Sequence, residues 1–176
     1  VLVGMGADVT ICDINESRLT ALENIFDGKI EALLATKENI LAKLPVVDAV
    51  IGAVLVKGSK APKLITKEML SFLRPYSVLV DVAVDQGGCF ETTKPTTHEN
   101  PTYYVADIFH YAVANMPGAV PRTSTQALSN KTFPYVMELL NKSLDQLPVE
   151  IRKGINTHRG KLTNREVAAA FKLPYS

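Results

Sequence analysis

Residues 77–89 read SVLVDVAVDQGGC. They open with a run of small and β-branched apolar residues, Val78 to Val84, broken only by Asp81. Such a run is read as a strand buried on both faces, as in a parallel sheet. It stops at Asp85-Gln86-Gly87-Gly88. A charged residue followed by two glycines at the C-terminal end of a buried strand marks the ligand edge of an open α/β sheet. Taken alone, Asp85 reads equally well as the start of a plain turn. Two other places favour a site: an acidic strand end at Asp13 and the loop Asn115-Met116-Pro117.

The rest of the chain alternates strand and helix around this stretch. Residues 46–56 (VVDAVIGAVLV) form a second long apolar run. It is too β-branched for a comfortable helix and reads as a central strand. It runs into a loop, 57–63, with Lys57, Lys60 and Lys63, read as solvated rather than phosphate-facing. Upstream, residues 8–12 read as a short strand ending at Asp13. A helix follows to Ile25, capped by Asn15 or Asp13, with Leu19, Leu22 and Ile25 on one face. Residues 29–34 are a weaker strand and 37–44 a short helix. Thr66 caps a helix to Leu73, and Pro75 ends it. This spacing implies parallel pairing and right-handed crossovers.

Downstream, residues 91–101 are polar and turn-rich, and 103–106 read as a last strand. Residues 110–123 are punctuated by Pro and Gly and read as a hinge between domains. One long helix is expected from Ser124 to about Leu147, with Leu128, Tyr135, Leu139 and Leu140 among its apolar positions, and Pro148 stops it. A turn over 152–161, a helix over 163–171 and an apolar tail able to dock complete the chain.

Composition narrows the function classes. The chain has 176 residues, 47% hydrophobic and 21% charged, with a formal net charge of +1. That suits one domain, or one and a half, of ordinary globular make-up. Nothing in the charge points to nucleic acid or an acidic membrane. No apolar run reaches the about 18 residues needed to span a bilayer, and no signal peptide opens the chain. Cys12 and Cys89 match no metal spacing and read as buried small hydrophobes in a reducing cytoplasm. His98, His110 and His158 likewise sit at no metal spacing and read as loop or core residues. No hydrolase, zinc-protease or complete P-loop motif is present.

Gly4-Met5-Gly6 is not a dinucleotide fingerprint. Position 9 is Val where a third glycine belongs, no strand precedes, and Asp13 follows too soon. Asp13 itself has two readings. It is either a helix cap or the acidic residue that ends the second strand of a Rossmann unit and accepts the adenosine ribose hydroxyls. In the second case the glycine loop lies upstream of residue 1. Arg18 either reaches the same nucleotide or makes a surface ion pair.

The segments GMGADVTICDIN, DAVIGAVLVKGSKAPKLIT, VLVDVAVDQGGCFETTKPTTHENPTY and HYAVANMPGAVPRTST closely resemble the alanine dehydrogenase family, which is related to the first domain of nicotinamide nucleotide transhydrogenase. The tail NTHRGKLTNREVAAAFKLPYS resembles alanine dehydrogenase rather than transhydrogenase. The resemblance runs over essentially the whole chain. It implies reversible NAD-dependent deamination of L-alanine to pyruvate and ammonia, by a cytoplasmic homo-oligomer that is usually hexameric. It implies a Rossmann-type, doubly wound parallel sheet over residues 1–121, then a helical return to a substrate domain over 122–176.

By the same resemblance Asp13 holds the ribose and Arg18 lies against the adenosine. Val54 and Leu55 line the cofactor cleft. Val82, Ala83, Val84 and Asp85 approach the nicotinamide, and Val113, Asn115 and Met116 close on it. Asp85 is the catalytic aspartate, and no metal is implied. The family's glycine fingerprint, substrate arginine, catalytic lysine and catalytic histidine all fall upstream of this sequence, and Lys57 stands where proline is frequent. The chain therefore resembles a C-terminal half, expected to be inactive alone. The alternatives are a non-catalytic Rossmann-like binding or oligomerisation module, or the NAD-binding domain of a transhydrogenase-type protein. A related 2-amino acid or glyoxylate is not separated from alanine by sequence.

Overall fold

The structure is a computed structural model, and it describes residues 1–54, 56 and 61–175. It is α/β. Strand β1 (Val9–Asp13) leads through helix α1 (Glu16–Phe26) to β2 (Ile30–Leu34), and the two strands pair in parallel from Val9↔Ile30 to Asp13↔Leu34. Helix α2 (Lys37–Lys43) follows. A second sheet has the order β3-β4-β6-β5, from β3 (Ala49–Gly52), β4 (Val78–Asp81), β5 (Thr102–Val105) and β6 (Ile108–Tyr111). Strands β3, β4 and β6 are parallel, and β5 runs antiparallel to β6. Among the described residues β1 and β3 share no ladder.

Local chemistry explains where these elements start and stop. Asn15 is the cap of α1, its side chain accepting from Arg18 N at 3.0 Å, while the Asp13 carboxylate accepts from Asn15 N at 2.9 Å. The buried face of α1 differs from the expected one. Leu19 is buried and Phe26 half-buried, but Ile25 is 69% exposed. At about 3.6 residues per turn, position 26 returns to the face of position 19 and position 25 does not.

The segment 66–73 is not an α-helix capped by Thr66. It is a 3-10 turn, Glu68–Phe72, with no side-chain cap bond. A three-residue repeat stacks Leu70 and Leu73 on one side, and both are buried. Strand β3 starts later than residue 46 because the 3-10 turn Leu44–Val46, with Pro45 in its first turn, precedes it.

The apolar core joins Leu44, Ile65, Met69, Leu70, Leu79, Cys89, Phe90 and Ile108. Cys89 is buried as expected. Cys12 is not: it lies on an exposed position of β1, because alternate side chains of a strand face opposite ways.

The hinge expected at 110–123 starts later, because His110 and Tyr111 belong to β6. The β5–β6 connection is Ala106-Asp107, both at positive φ (50° and 60°), a tight hairpin turn without its usual glycine. Helix α3 (Pro121–Asn141) begins at Pro121 and ends before a separate 3-10 turn, Leu144–Gln146. None of its residues is buried, and Leu128, Tyr135, Leu139 and Leu140 are all exposed. The expected turn at 152–161 contains the end of α4 (Val149–Lys153) and a hairpin of β7 (Thr157–His158) with β8 (Lys161–Leu162). Helix α5 (Arg165–Phe171) is capped by Asn164, and the tail returns so that the Arg165 guanidinium lies 5.5 Å from the Tyr175 ring.

Candidate functional site

The three parallel strands end level. Gly52 of β3 is opposite Asp81 of β4, and Val80 of β4 is opposite Tyr111 of β6. Their continuations therefore leave the sheet at one edge: Val54 after β3, Val82 to Asp85 after β4, and Val113 to Met116 after β6. This is the edge where open parallel sheets hold ligands. Leu55 falls outside the described residues. Asp13 ends β1 in the other sheet and shares no ladder with β3 among the described residues.

The turn after β4 is built around Asp81, which is 1% exposed. One carboxylate oxygen accepts from Ala83 N at 3.1 Å. The other accepts from Cys89 N at 2.8 Å, from Phe90 N at 3.4 Å and from the Thr93 hydroxyl. This pull ends the strand at Asp81 rather than at Val84. The chain turns in a 3-10 step, Val84–Gln86, and closes with Gly88 N on Ala83 O at 3.0 Å. The Lys63 ammonium reaches the same loop, donating to the carbonyls of Gly87, Gly88 (2.8 Å) and Phe90 (3.2 Å). Lys63 is thus neither a free solvated lysine nor an open phosphate ligand.

Held this way, the turn exposes Asp85 and Val82 and buries the side chains of Ala83 and Val84. Any contact of Ala83 or Val84 with a ligand runs through their backbone. On the β6 side, Val113 is fully buried. Thr96 brackets it, accepting from Ala114 N at 3.1 Å and donating its N–H to Ala112 O at 2.9 Å. Asn115 is exposed in the left-handed region (φ 55°, ψ 52°), with its carbonyl 3.1 Å from His98 Nε2. Met116 is half-buried and opens the 3-10 turn Met116–Ala119. Arg18 is exposed on α1 and forms no salt bridge among the described residues.

Sequence reasoning missed Asp81, Lys63, Thr93 and His98 as builders of this edge. Only Asp81 left a trace, as the one charge inside an apolar run.

His110 supports β6 from inside. It is 1% exposed and stacks on Tyr103 with centroids 4.9 Å apart. Its Nδ1 donates to Ile108 O at 2.9 Å, and Nε2 is 2.8 Å from the Thr92 hydroxyl. Desolvation lowers its pKa from the ordinary histidine value, against a smaller opposing effect of the Ile108 carbonyl. The folded state thus prefers the neutral ring, and the unfolded chain takes up the proton first. Stability is therefore present above about pH 6.5 and falls as pH drops towards the lowered folded value. His110→Gln is expected to flatten that loss, read as denaturation midpoints at pH 7.5 and 5.5. Equal acid sensitivity in both proteins would refute it.

A family model described as alanine dehydrogenase/PNT, C-terminal domain, matches residues 1–165. The chain is 51% identical over 176 residues to an alanine dehydrogenase of Halomonas elongata, covering 98% of this chain and 47% of that one. It is 49% identical to one of Methanococcus maripaludis, covering 100% of this chain and 48% of that one. Among solved structures, an L-alanine dehydrogenase matches at 46% identity with a TM-score of 0.84, over 97% of this chain and 48% of that one. A transhydrogenase from Sinorhizobium meliloti matches at 21% identity with a TM-score of 0.70, over 92% and 44%, which shows a shared fold alone. The chain thus spans about half the length of the relatives it matches. With its parallel sheet and the turn at Asp85, it belongs to the alanine dehydrogenase/PNT family.

Proposed function

We propose that this chain is the NAD-binding half of an alanine dehydrogenase, acting in the reversible deamination of L-alanine to pyruvate and ammonia. One observation carries the reading. In a chain about half identical to alanine dehydrogenases, an exposed carboxylate, Asp85, stands on a rigid turn at the level carboxyl edge of three parallel strands. The residues present suit a nicotinamide dinucleotide: an acidic strand end at Asp13 for ribose hydroxyls, an apolar Val54, and an exposed Asn115 amide able to meet a carboxamide. The cofactor, when bound, supplies the hydride chemistry. Asp85 orients the amine or the attacking water and balances positive charge that develops on the substrate. Val82, Asn115 and Met116 wall the nicotinamide side, and Val54, Leu55 and Arg18 the rest of the cleft. Residues 122–176 return to a substrate domain, which the uncovered α3 supports. The working form is a cytoplasmic homo-oligomer, hexameric as in the family.

The test is alanine-dependent NADH formation by the full-length protein that carries this chain, with other 2-amino acids as comparison. Absence of turnover with alanine would overturn the reading.

Cofactor choice gives a further expectation. Asp13→Asn keeps an acceptor for Asn15 N–H but removes the charge that repels a 2′-phosphate. A hydrogen bond to a charged group is worth about 1.5–3 kcal/mol. The NAD-over-NADP ratio of kcat/KM should therefore narrow by about tenfold or more. An unchanged ratio would remove Asp13 from the ribose site.

A further inference from the structure

The loop after Asp85 is gripped by two opposite charges. Gly87 and Gly88 lie in the left-handed region at φ 90° and 76°. Glycines have the widest backbone freedom, so an ungripped loop here would sample many states. Asp81 takes its N–H groups, at Cys89 and Phe90, and the Thr93 hydroxyl. Lys63 takes its carbonyls, at Gly87, Gly88 and Phe90. The grip leaves no spare room: a Cβ at Gly88 would stand 2.7 Å from Asp81 Oδ2. Lys63 lies 24 to 27 residues from its three acceptors, and Asp81 8 to 12 from its loop donors, so distant parts of the chain converge on one turn.

We propose that Asp81 and Lys63 are positioning residues that act through Asp85, clamping the turn so that its carboxylate stands at one fixed place on the sheet edge. The inference rests on the reading of Asp85 as the catalytic carboxylate. A displacement of about 1 Å at a reacting centre can cost on the order of 100-fold in rate. Removing the clamp should therefore move kcat and leave cofactor binding alone.

Lys63→Met in the full-length enzyme is the decisive variant. It keeps the aliphatic stem and removes the three donors from an exposed side chain. Expected is a fall in kcat of about 10- to 100-fold, with NADH affinity by fluorescence and the melting temperature near parent values. In the Asp85→Asn background the same substitution should lower kcat no further, because a residue acting only through another loses its effect when that group is gone. Asp81→Asn should lower kcat in the same way, and it should also lower the melting temperature, because a buried acceptor of four hydrogen bonds is weakened. Should it fail to fold, Lys63→Met alone decides.

Three outcomes overturn the clamp while leaving the reading of Asp85 standing. In the first, kcat is unchanged in Lys63→Met while Asp85→Asn is inactive, and the clamp falls with the assignment of Asp85 intact. In the second, NADH affinity is lost with kcat retained, making Lys63 a phosphate contact. In the third, the two losses multiply in the double variant, so Lys63 acts by another route. Full turnover in Asp85→Asn itself would instead sink the reading of Asp85, and the clamp with it.

Discussion

Asp85→Asn in the full-length enzyme is expected to lower kcat for alanine by at least about 100-fold, while NADH binding changes by less than about threefold. The first figure is the low end of what a positioned acid or base contributes. The second follows from where Asp85 sits. It is exposed on the Val84–Gln86 turn, beyond the end of β4, and its side chain makes no hydrogen bond among the described residues; the loop's own contacts go to Asp81 and Lys63. The substitution keeps size and shape, so the turn survives. On the proposed reading, what is lost is a negative charge beside the reacting centre, which matters more in the transition state than in the bound ground state, and such a loss appears in kcat. Steady-state rates in both directions and an NADH fluorescence titration separate the two effects. Parent-level turnover would remove Asp85 from the chemistry, whereas an equal loss of binding and rate would make it a cofactor ligand.

Much of the edge was legible because its signals are local. A buried apolar run that halts at a charge and two glycines marks where the chain leaves the sheet, although the strand itself ends at Asp81. The parallel order followed from the alternation of elements. What was not legible depends on contacts distant in sequence. Asp81 looked like an interruption of a strand running to Val84. It is the strand's terminator, because donors at Ala83, Cys89, Phe90 and Thr93 converge on it. Lys63 looked like one of three loop lysines, and only folding shows which carbonyls it meets.

The β5–β6 hairpin was missed for a different reason. Ala106 and Asp107 fill positive-φ positions where Asn-Gly or Asp-Gly is the usual signature. The turn is enforced by pairing, including Tyr76 N on Asp107 O at 2.8 Å, rather than announced by composition. Helix α3 shows the converse. Its periodicity predicted a helix correctly, but apolar spacing says only that a stripe exists. It does not say whether anything covers it, and here Leu128, Leu139 and Leu140 stay exposed.

Gly88→Ala is expected to cost about 2–5 kcal/mol of stability and most of the activity. Two independent effects add. The first is the backbone: φ is +76° at Gly88, and an L residue there costs about 1–2 kcal/mol. The second is space. A Cβ would lie 2.6 Å from Thr93 Cγ2 and 2.7 Å from Asp81 Oδ2. Neither neighbour can yield cheaply. Threonine is stiff at χ1, and moving Asp81 breaks bonds to a buried charge, each worth about 1–3 kcal/mol. Gly28→Ala supplies the control. Gly28 also has positive φ, +72°, but nothing among the described residues lies within 4 Å of its Cβ position, so only the backbone term remains. Chemical denaturation of the two variants against the parent isolates the packing term as their difference. The activity loss should track Gly88 alone, since that residue lies on the turn that presents Asp85. If both variants lose the same stability, Asp81 and Thr93 can move aside freely, and the turn is not the rigid support described above.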